Sequence, residues 1–151
     1  MTFASSDIEN RIYRAWERLL TRDSELLQFD ASERSITHKL AEHLQVEFSD
    51  WDVDCEYNRD GHDPKALALH KCPHGKGDLR RDFPDIVVHK RDTGDNLVAI
   101  EAKKSTSRHN KHDSCKLHAY RESLHYQYAY LVVFPISTGD KRGLGLREFE
   151  T

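Results

Sequence analysis

Apolar residues recur at helical spacing in the first fifty positions of the chain. One stripe predicts a helix over about residues 6–21 and consists of Ile8, Ile12, Trp16 and Leu19 or Leu20. A second stripe follows a short link and consists of Ile36, Leu40 and Leu44. The pattern therefore predicts two amphipathic helices before the first strand.

Strand patterns dominate the middle of the chain. Residues 51–57 (WDVDCEY) alternate between apolar and polar, as a strand with one solvated face does. Two apolar runs, at 86–88 and 97–100, flank a polar segment at 91–96 that contains Thr-Gly-Asp, and this arrangement predicts a β-hairpin. Residues 128–134 (YAYLVVF) form a continuous apolar run, which is typical of a central strand covered by helix.

The remaining segments complete an α/β fold. Glycine and proline interrupt residues 58–77, which are expected to form a loop. A third helix is predicted over about residues 113–126, and an edge strand over 144–149. The buried side of that helix is expected to consist of Leu117, Tyr120 and Leu124. The predicted order is helix, helix, three strands, helix and strand, which gives a mixed four- to five-stranded sheet flanked by helices.

Length and charge narrow the class of protein. A chain of 151 residues fits one domain, expected to span residues 1–151. The formal net charge of −3 gives no global attraction to nucleic acid, so any basic binding surface has to be local. The sequence contains no apolar run long enough to span a bilayer and no signal-peptide pattern, and its three widely spaced cysteines argue against a disulfide framework. These features predict a cytoplasmic protein that does not bind membranes.

Charged residues fall at one end of the predicted hairpin. Asp85 begins its first strand, and Glu101 and Lys103 end the second. Alternation along a strand turns Glu101 and Lys103 to the same face, about 7 Å apart. Because buried charges are costly unless they are paired or bind a metal, two carboxylates and an ammonium converging here predict a divalent-cation site. The alternative is an ordinary ion pair between Glu101 and Lys103 at the strand edge.

Glu33 is a further acidic residue in an unusual place. It lies at the head of the apolar stripe that Ile36 and Leu40 continue, so its carboxylate is expected on the buried face of the second helix. The alternative is that Glu33 closes a capping box in the segment Asp30-Ala31-Ser32-Glu33. The sequence leaves both interpretations open.

These residues resemble the PD-(D/E)XK motif of the restriction-endonuclease-like nuclease superfamily. Pro84-Asp85 is followed, after fifteen intervening residues, by Glu101-Ala102-Lys103. The resemblance extends to a core of helix, three-strand meander, helix and strand over about residues 30–135, with a tail over about 136–151. It implies a restriction-endonuclease-like core, a site glutamate at Glu33 and a metal-ligating backbone carbonyl at Ala102. The segments ERSITHKLAEHL and WDVDCEYNRDGHDPK are similar to a small bacterial type of protein in that superfamily.

The resemblance implies a metal-dependent nuclease that acts on DNA in preference to RNA, as part of a bacterial defence or repair system. Asp85 and Glu101 suit Mg²⁺, a hard cation typically held by one or two carboxylates, and Mn²⁺ is the expected substitute. Lys103 would orient or help deprotonate the attacking water, and Glu33 would extend the site through water or toward a second ion. The alternative is a catalytically inactive nuclease-like domain used for nucleic-acid binding or assembly. No separate recognition domain is evident, so specificity is either low or supplied by a homodimer or a partner protein.

Several basic residues are candidates for nucleic-acid contacts. Lys104 is expected to face away from Lys103, as a surface or phosphate contact, and Lys116 resembles a polar residue that the superfamily places beside the site. The candidates in the loops before and after the motif are Arg80, Arg81, Arg108 and Lys111. The alternative for each is an ordinary solvated charge. The segment of His70, Cys72 and His74 lacks the paired four-ligand spacing of structural zinc and is expected to be a polar loop.

Overall fold

The computed structural model describes residues 2–57, 59–60, 63–64, 83–107, 111–136 and 143–150, with only the backbone described at 59–60, 63–64, 111 and 112. The helices in this part of the chain are α1 (Ser5–Arg22), α2 (Ser24–Gln28), α3 (Glu33–Glu47) and α4 (Lys111–Glu122). The strands are β1 (Asp52–Cys55), β2 (Arg59–Asp60), β3 (Asp63–Pro64), β4 (Ile86–His89), β5 (Asn96–Lys104), β6 (Tyr128–Phe134) and β7 (Gly145–Glu148).

Five strands form one mixed sheet in the order β1-β4-β5-β6-β7. β1 pairs with β4 and β4 with β5 in antiparallel orientation, so the predicted hairpin is confirmed. β5 and β6 are parallel, because α4 carries the chain back between them. β7 is an edge strand of the sheet and pairs with β6 in antiparallel orientation. The expected α/β fold with a four- to five-stranded mixed sheet is therefore confirmed.

Helices cover both faces of this sheet. α1 and α3 pack on one face, where Ile100 and Val132 belong to the larger apolar core, and Trp16 stacks on Phe134 with ring centroids 5.9 Å apart. α4 covers the other face around Val87, Ala99 and Leu131. Alternation of side chains along β4, β5 and β6 explains why these continuous apolar strands supply both cores.

The termini of the helices follow local chemistry. Ser32 caps α3, since its hydroxyl accepts the backbone N–H of Ser35 at 3.2 Å. α4 ends at Glu122, earlier than predicted, because His125 adopts a left-handed φ of 58° and the Tyr126 N–H bonds to the Tyr120 carbonyl oxygen at 3.2 Å. No helix in the described ranges is long and apolar enough to cross a membrane.

Three sequence-based expectations need correction. The short helix α2, with its five residues, was not predicted, because its length spans little more than one helical turn. The expected loop at 58–77 contains the short paired strands β2 and β3 within its described residues. The expectation of cysteines without disulfides is wrong for Cys115, which is disulfide-bonded, because spacing along the sequence does not fix distance in the fold.

Candidate active site

β5 extends beyond β4 at one end of the hairpin. β4 begins at Ile86, which pairs with Ile100, whereas β5 continues to Lys104. Over that extension β5 keeps its parallel partner β6, up to the pair of Lys104 with Phe134. The edge of β5 that faces away from β6 is therefore open to side chains from other elements.

Two of the predicted site carboxylates occupy that edge. Asp85 Oδ2 accepts the backbone N–H of Ala102 at 2.8 Å, and Glu33 Oε2 accepts the backbone N–H of Lys104 at 3.0 Å. Asp85 lies in the turn before β4, and Glu33 begins α3. Carboxylates thus replace the carbonyl acceptors that a longer β4 would have supplied.

Asp85 and Glu101 form a buried pair of carboxyl groups. The antiparallel register of Ile86 with Ile100, continued by one residue, sets them opposite each other. Glu101 is only 2% exposed, and burial together with the neighbouring Asp85 carboxylate raises the pKa of Glu101 to about 8. Burial also raises the pKa of Asp85, while the Ala102 N–H acts in the opposite direction. The pair therefore resists carrying two negative charges near neutral pH unless a cation compensates them.

α4 presents three polar side chains to this end of β5. Lys116 Nζ lies 3.3 Å from Glu101 Oε2, and the Tyr120 hydroxyl donates to Glu101 Oε1 at 2.7 Å. Asp113, one turn before Lys116, has its Oδ2 atom 3.6 Å from Nζ of Lys103. Their spacing places the three side chains on one helical face. Within the described contacts, Glu101 and Lys103 therefore pair with α4 and not with each other.

Glu33 does not close a capping box. Because Ser32 is the N-cap, Glu33 is the first residue of α3, and its side chain points to β5 and not back to the helix start. Besides the Lys104 N–H, its Oε2 atom accepts the Ser107 hydroxyl at 3.2 Å. The bond of Glu33 with Lys104 thus connects the start of α3 to the end of β5, 71 residues apart in the sequence.

Lys104 points to the face of β5 opposite Lys103, as alternation requires. Its side chain is 15% exposed, with Nζ 2.6 Å from Asp30 Oδ1 and 3.2 Å from the carbonyl oxygen of Ala31. This environment differs from the expected surface lysine, because the link before α3 supplies acceptors for the ammonium group. Lys104 therefore holds the start of α3 against β5.

The other predicted contacts lie largely outside the described residues. Those entirely outside are Arg80, Arg81 and Arg108, together with His70, Cys72 and His74. Lys111 begins α4, but its side chain belongs to the part that is not described. These positions stay predictions.

An open cleft of about 910 Å³ adjoins the carboxylates. Asp85 and Glu33 both line it, together with the first turns of α3. Arg34 lines the same cleft and pairs with Glu56 at 3.0 Å, with both side chains exposed. Because exposed ion pairs contribute only about 0–1 kcal/mol, an incoming anion can displace Glu56 from Arg34 with little loss.

Sequence reasoning missed two residues of this cluster. Tyr120 was assigned only to the apolar side of the third helix, and Asp113 only to its beginning. A tyrosine on a buried stripe needs a partner for its hydroxyl. Its position four residues after Lys116 is the signal that could have identified it, since such residues share a helical face.

The donor groups fit a hard divalent cation. Asp85 and Glu101 contribute carboxylate oxygens, and the Ala102 carbonyl points to the same strand edge as its N–H, because both backbone groups of a strand residue point the same way. No cluster of three or more His, Cys, Asp or Glu side chains that could hold a metal occurs within the described ranges. The fit therefore rests on two carboxylates and one carbonyl, a small set that suits Mg²⁺, which usually keeps several waters.

No protein-family model, curated protein or solved structure matches the chain. The resemblance to the nuclease superfamily thus rests on five motif residues and the order of elements, without a detected relative. The described fold adds a five-stranded mixed sheet with helices on both faces, an architecture that many unrelated functions share.

Proposed function

We propose that the chain is a metal-dependent nuclease with a restriction-endonuclease-like core, which hydrolyses phosphodiester bonds of DNA in preference to RNA. The observation that supports this most is the buried pair of Asp85 and Glu101, with Lys103 on the same face of β5 as Glu101. Burial raises the pKa of both carboxyl groups, and the Asp85 carboxylate raises the pKa of Glu101 further, so a divalent cation would stabilise this site. The cleft beside Asp85 offers room for a nucleic-acid strand.

Asp85 and Glu101, with the carbonyl of Ala102, would hold Mg²⁺ or its substitute Mn²⁺. When bound, such an ion supplies positive charge to a phosphate oxygen and lowers the pKa of a coordinated water. Glu33 shares the cleft with Asp85 and would extend the set of oxygen donors through water. All of these donors are oxygens, which agrees with a hard ion.

Lys103 and Lys116 have different roles in this proposal. Lys103 is 23% exposed, so its ammonium can meet water, orient it toward the phosphorus and stabilise negative charge that develops on the phosphate oxygens. Lys116 is bonded to Glu101 and favours its ionised form. Tyr120 holds the other oxygen of Glu101, so that this carboxyl group keeps one orientation.

A cleavage assay with matched variants tests the proposal. Purified protein with Mg²⁺ or Mn²⁺ is expected to cut DNA, and less readily RNA, and EDTA should stop the reaction. Asp85→Asn and Lys103→Gln should abolish cutting, since each keeps side-chain size and removes the charge. Asp95→Asn is the control, because Asp95 is an exposed carboxylate in the β4–β5 loop. Wild-type activity in Asp85→Asn, with melting curves that show a folded protein, would exclude this mechanism.

A second candidate is a nuclease-like module that binds nucleic acid or an assembly partner without cutting. It is favoured by the protein contacts that each carboxylate already makes: Asp85 with Ala102, Glu101 with Lys116 and Glu33 with Lys104. Titration with Mn²⁺ separates the two candidates. The nuclease requires binding that Asp85→Asn weakens, whereas the binding module requires no metal affinity at this position.

A further inference from the structure

Lys103 has a flexible side chain that β5 alone does not fix. Lys103 is the penultimate residue of β5. Ordering a lysine side chain costs up to about 2 kcal/mol. A group that orients a water for attack has to be held to within about 0.5 Å of its working position. Another element therefore has to restrain the ammonium group.

Asp113 is placed to provide that restraint. It lies in the first turn of α4, is 3% exposed, and has its Oδ2 atom 3.6 Å from Nζ of Lys103. The short aspartate side chain moves with its helix, and α4 is fixed to the sheet by Leu117 and Tyr120, which are fully buried. The partial positive charge at the start of a helix also favours a carboxylate at this position.

The charges of β5 and α4 are arranged in complementary pairs. Glu101 and Lys103 lie on one face of the strand. From α4, the positively charged Lys116 pairs with Glu101, and the negatively charged Asp113 pairs with Lys103. A single placement of α4 along β5 forms both ion pairs at once. The contact of Asp113 with Lys103 is thus set by the packing of the helix and not by the mobility of two surface side chains.

We propose that Asp113 is a positioning residue for the nuclease reaction, which holds the Lys103 ammonium where it orients the attacking water. This inference rests on the proposed function. In this role Asp113 contacts neither the substrate nor the metal. Its loss should therefore lower kcat and leave KM and the Mg²⁺ dependence unchanged.

Kinetics of Asp113 variants of the full chain test the proposal. Asp113→Asn is expected to lower kcat by about 100-fold, the loss that misplacing a reacting group by about 1 Å can cause. KM for DNA and the Mg²⁺ concentration for half-maximal rate should match the wild type. Asp113→Glu, which restores the charge on a longer side chain, should recover part of the rate. Glu122→Gln is the matched control, because Glu122 is an exposed carboxylate at the other end of α4.

Each other result overturns the inference. A wild-type kcat in folded Asp113→Asn shows that the contact has no role in the reaction. A raised Mg²⁺ requirement assigns Asp113 to the metal, and a lower melting temperature with unchanged kcat per folded molecule assigns it to stability alone. If Asp113→Asn does not fold, Asp113→Ser takes its place, and a wild-type kcat in that folded variant gives the same refutation. A wild-type protein that cuts no substrate with Mg²⁺ overturns the proposed function as well, whereas the other results leave that function intact.

Discussion

Tyr120 donates its hydroxyl to Oε1 of Glu101 at 2.7 Å, and both side chains are almost completely buried. Water therefore has little access to this carboxyl group, and the protein sets its orientation and its proton affinity. The hydrogen bond lowers the pKa of Glu101, against the larger effect of burial. Tyr120 thus links the stability of the fold to the chemistry of the site.

Tyr120→Phe should destabilise the protein. The variant keeps the aromatic ring and leaves a buried carboxyl oxygen without its donor, which costs about 1–3 kcal/mol. Urea unfolding at pH 7 measures the loss. Tyr13→Phe is the control, because Tyr13 is 42% exposed on α1, and its change should be close to zero. Equal unfolding midpoints for the two variants would contradict the prediction.

Glu101→Gln should change how stability depends on pH. The folded protein keeps a proton on Glu101 between its ordinary pKa of 4.5 and about 8, whereas the unfolded chain releases it near 4.5. The free energy of unfolding of the wild type therefore falls as pH rises through this window, by at most about 5 kcal/mol. The amide has no such proton, so the variant should gain stability relative to the wild type from pH 5 to pH 9.

Urea midpoints in metal-free buffer at pH 5, 7 and 9 check this prediction. Some pH dependence should persist in Glu101→Gln, because burial also raises the pKa of Asp85. The informative quantity is the difference between the two proteins at each pH. A difference that does not change with pH would show that Glu101 does not hold a proton in the folded state.

Two substitutions of Glu33 should separate its structural role from a role in metal binding. Glu33→Gln keeps an oxygen that accepts the Lys104 N–H, so stability should change by less than about 0.5 kcal/mol. Glu33→Ala removes the acceptor and should cost about 1–3 kcal/mol. If Glu33 extends the metal site, both variants should need more Mg²⁺ for half-maximal cleavage. A normal Mg²⁺ requirement in Glu33→Gln would limit Glu33 to the backbone contact.

Arg34 and Lys104 should differ in their contribution to nucleic-acid binding. Arg34 lines the cleft in a weak exposed ion pair, whereas Lys104 is bonded to Asp30 beneath α3. In an Asp85→Asn background, Arg34→Ala should reduce the slope of log K against log salt by about 0.9, the value for one phosphate contact on duplex DNA. Lys104→Ala should leave the slope unchanged and lower the melting temperature.

A same-charge control completes that comparison. Arg22→Ala removes an exposed arginine at the end of α1, outside the cleft lining, so it changes net charge without a phosphate contact. Its salt slope should equal that of the Asp85→Asn background. A drop as large as that of Arg34→Ala would mean that general charge, and not the cleft, determines binding.

Hydrophobic patterning predicted the sheet and the large helices. The strands β4, β5 and β6 are buried on both faces and therefore form continuous apolar runs, and α1 has a clear apolar stripe. The end of α4 could not be predicted in the same way. His125 takes a left-handed conformation that glycine usually marks, and the sequence around it gives no such signal.

Residue patterns alone could predict the site only where the chain brings residues together locally, whereas the distant Glu33 and Lys116 were indicated through the resemblance to the nuclease superfamily. The hairpin register brings Asp85 close to Glu101, and alternation brings Lys103 to the same face. The contacts of Asp113 and Tyr120 depend on which face of the sheet α4 covers and on its rotation about its axis. A helical stripe indicates a buried side, but it does not specify the strand residues that this side meets.

The bond between Glu33 and Lys104 spans 71 positions of the chain, and the other side chains come from α4, which forms part of the crossover from β5 to β6. Contacts of such sequence separation require closure of long loops and tend to form late in folding. A newly synthesised or partly unfolded molecule would accordingly lack the contacts that α3 and α4 make with this end of β5. The nuclease activity proposed above would then be acquired at the final docking of α3 and α4 onto β5, and local opening of either helix would abolish it before the sheet itself came apart.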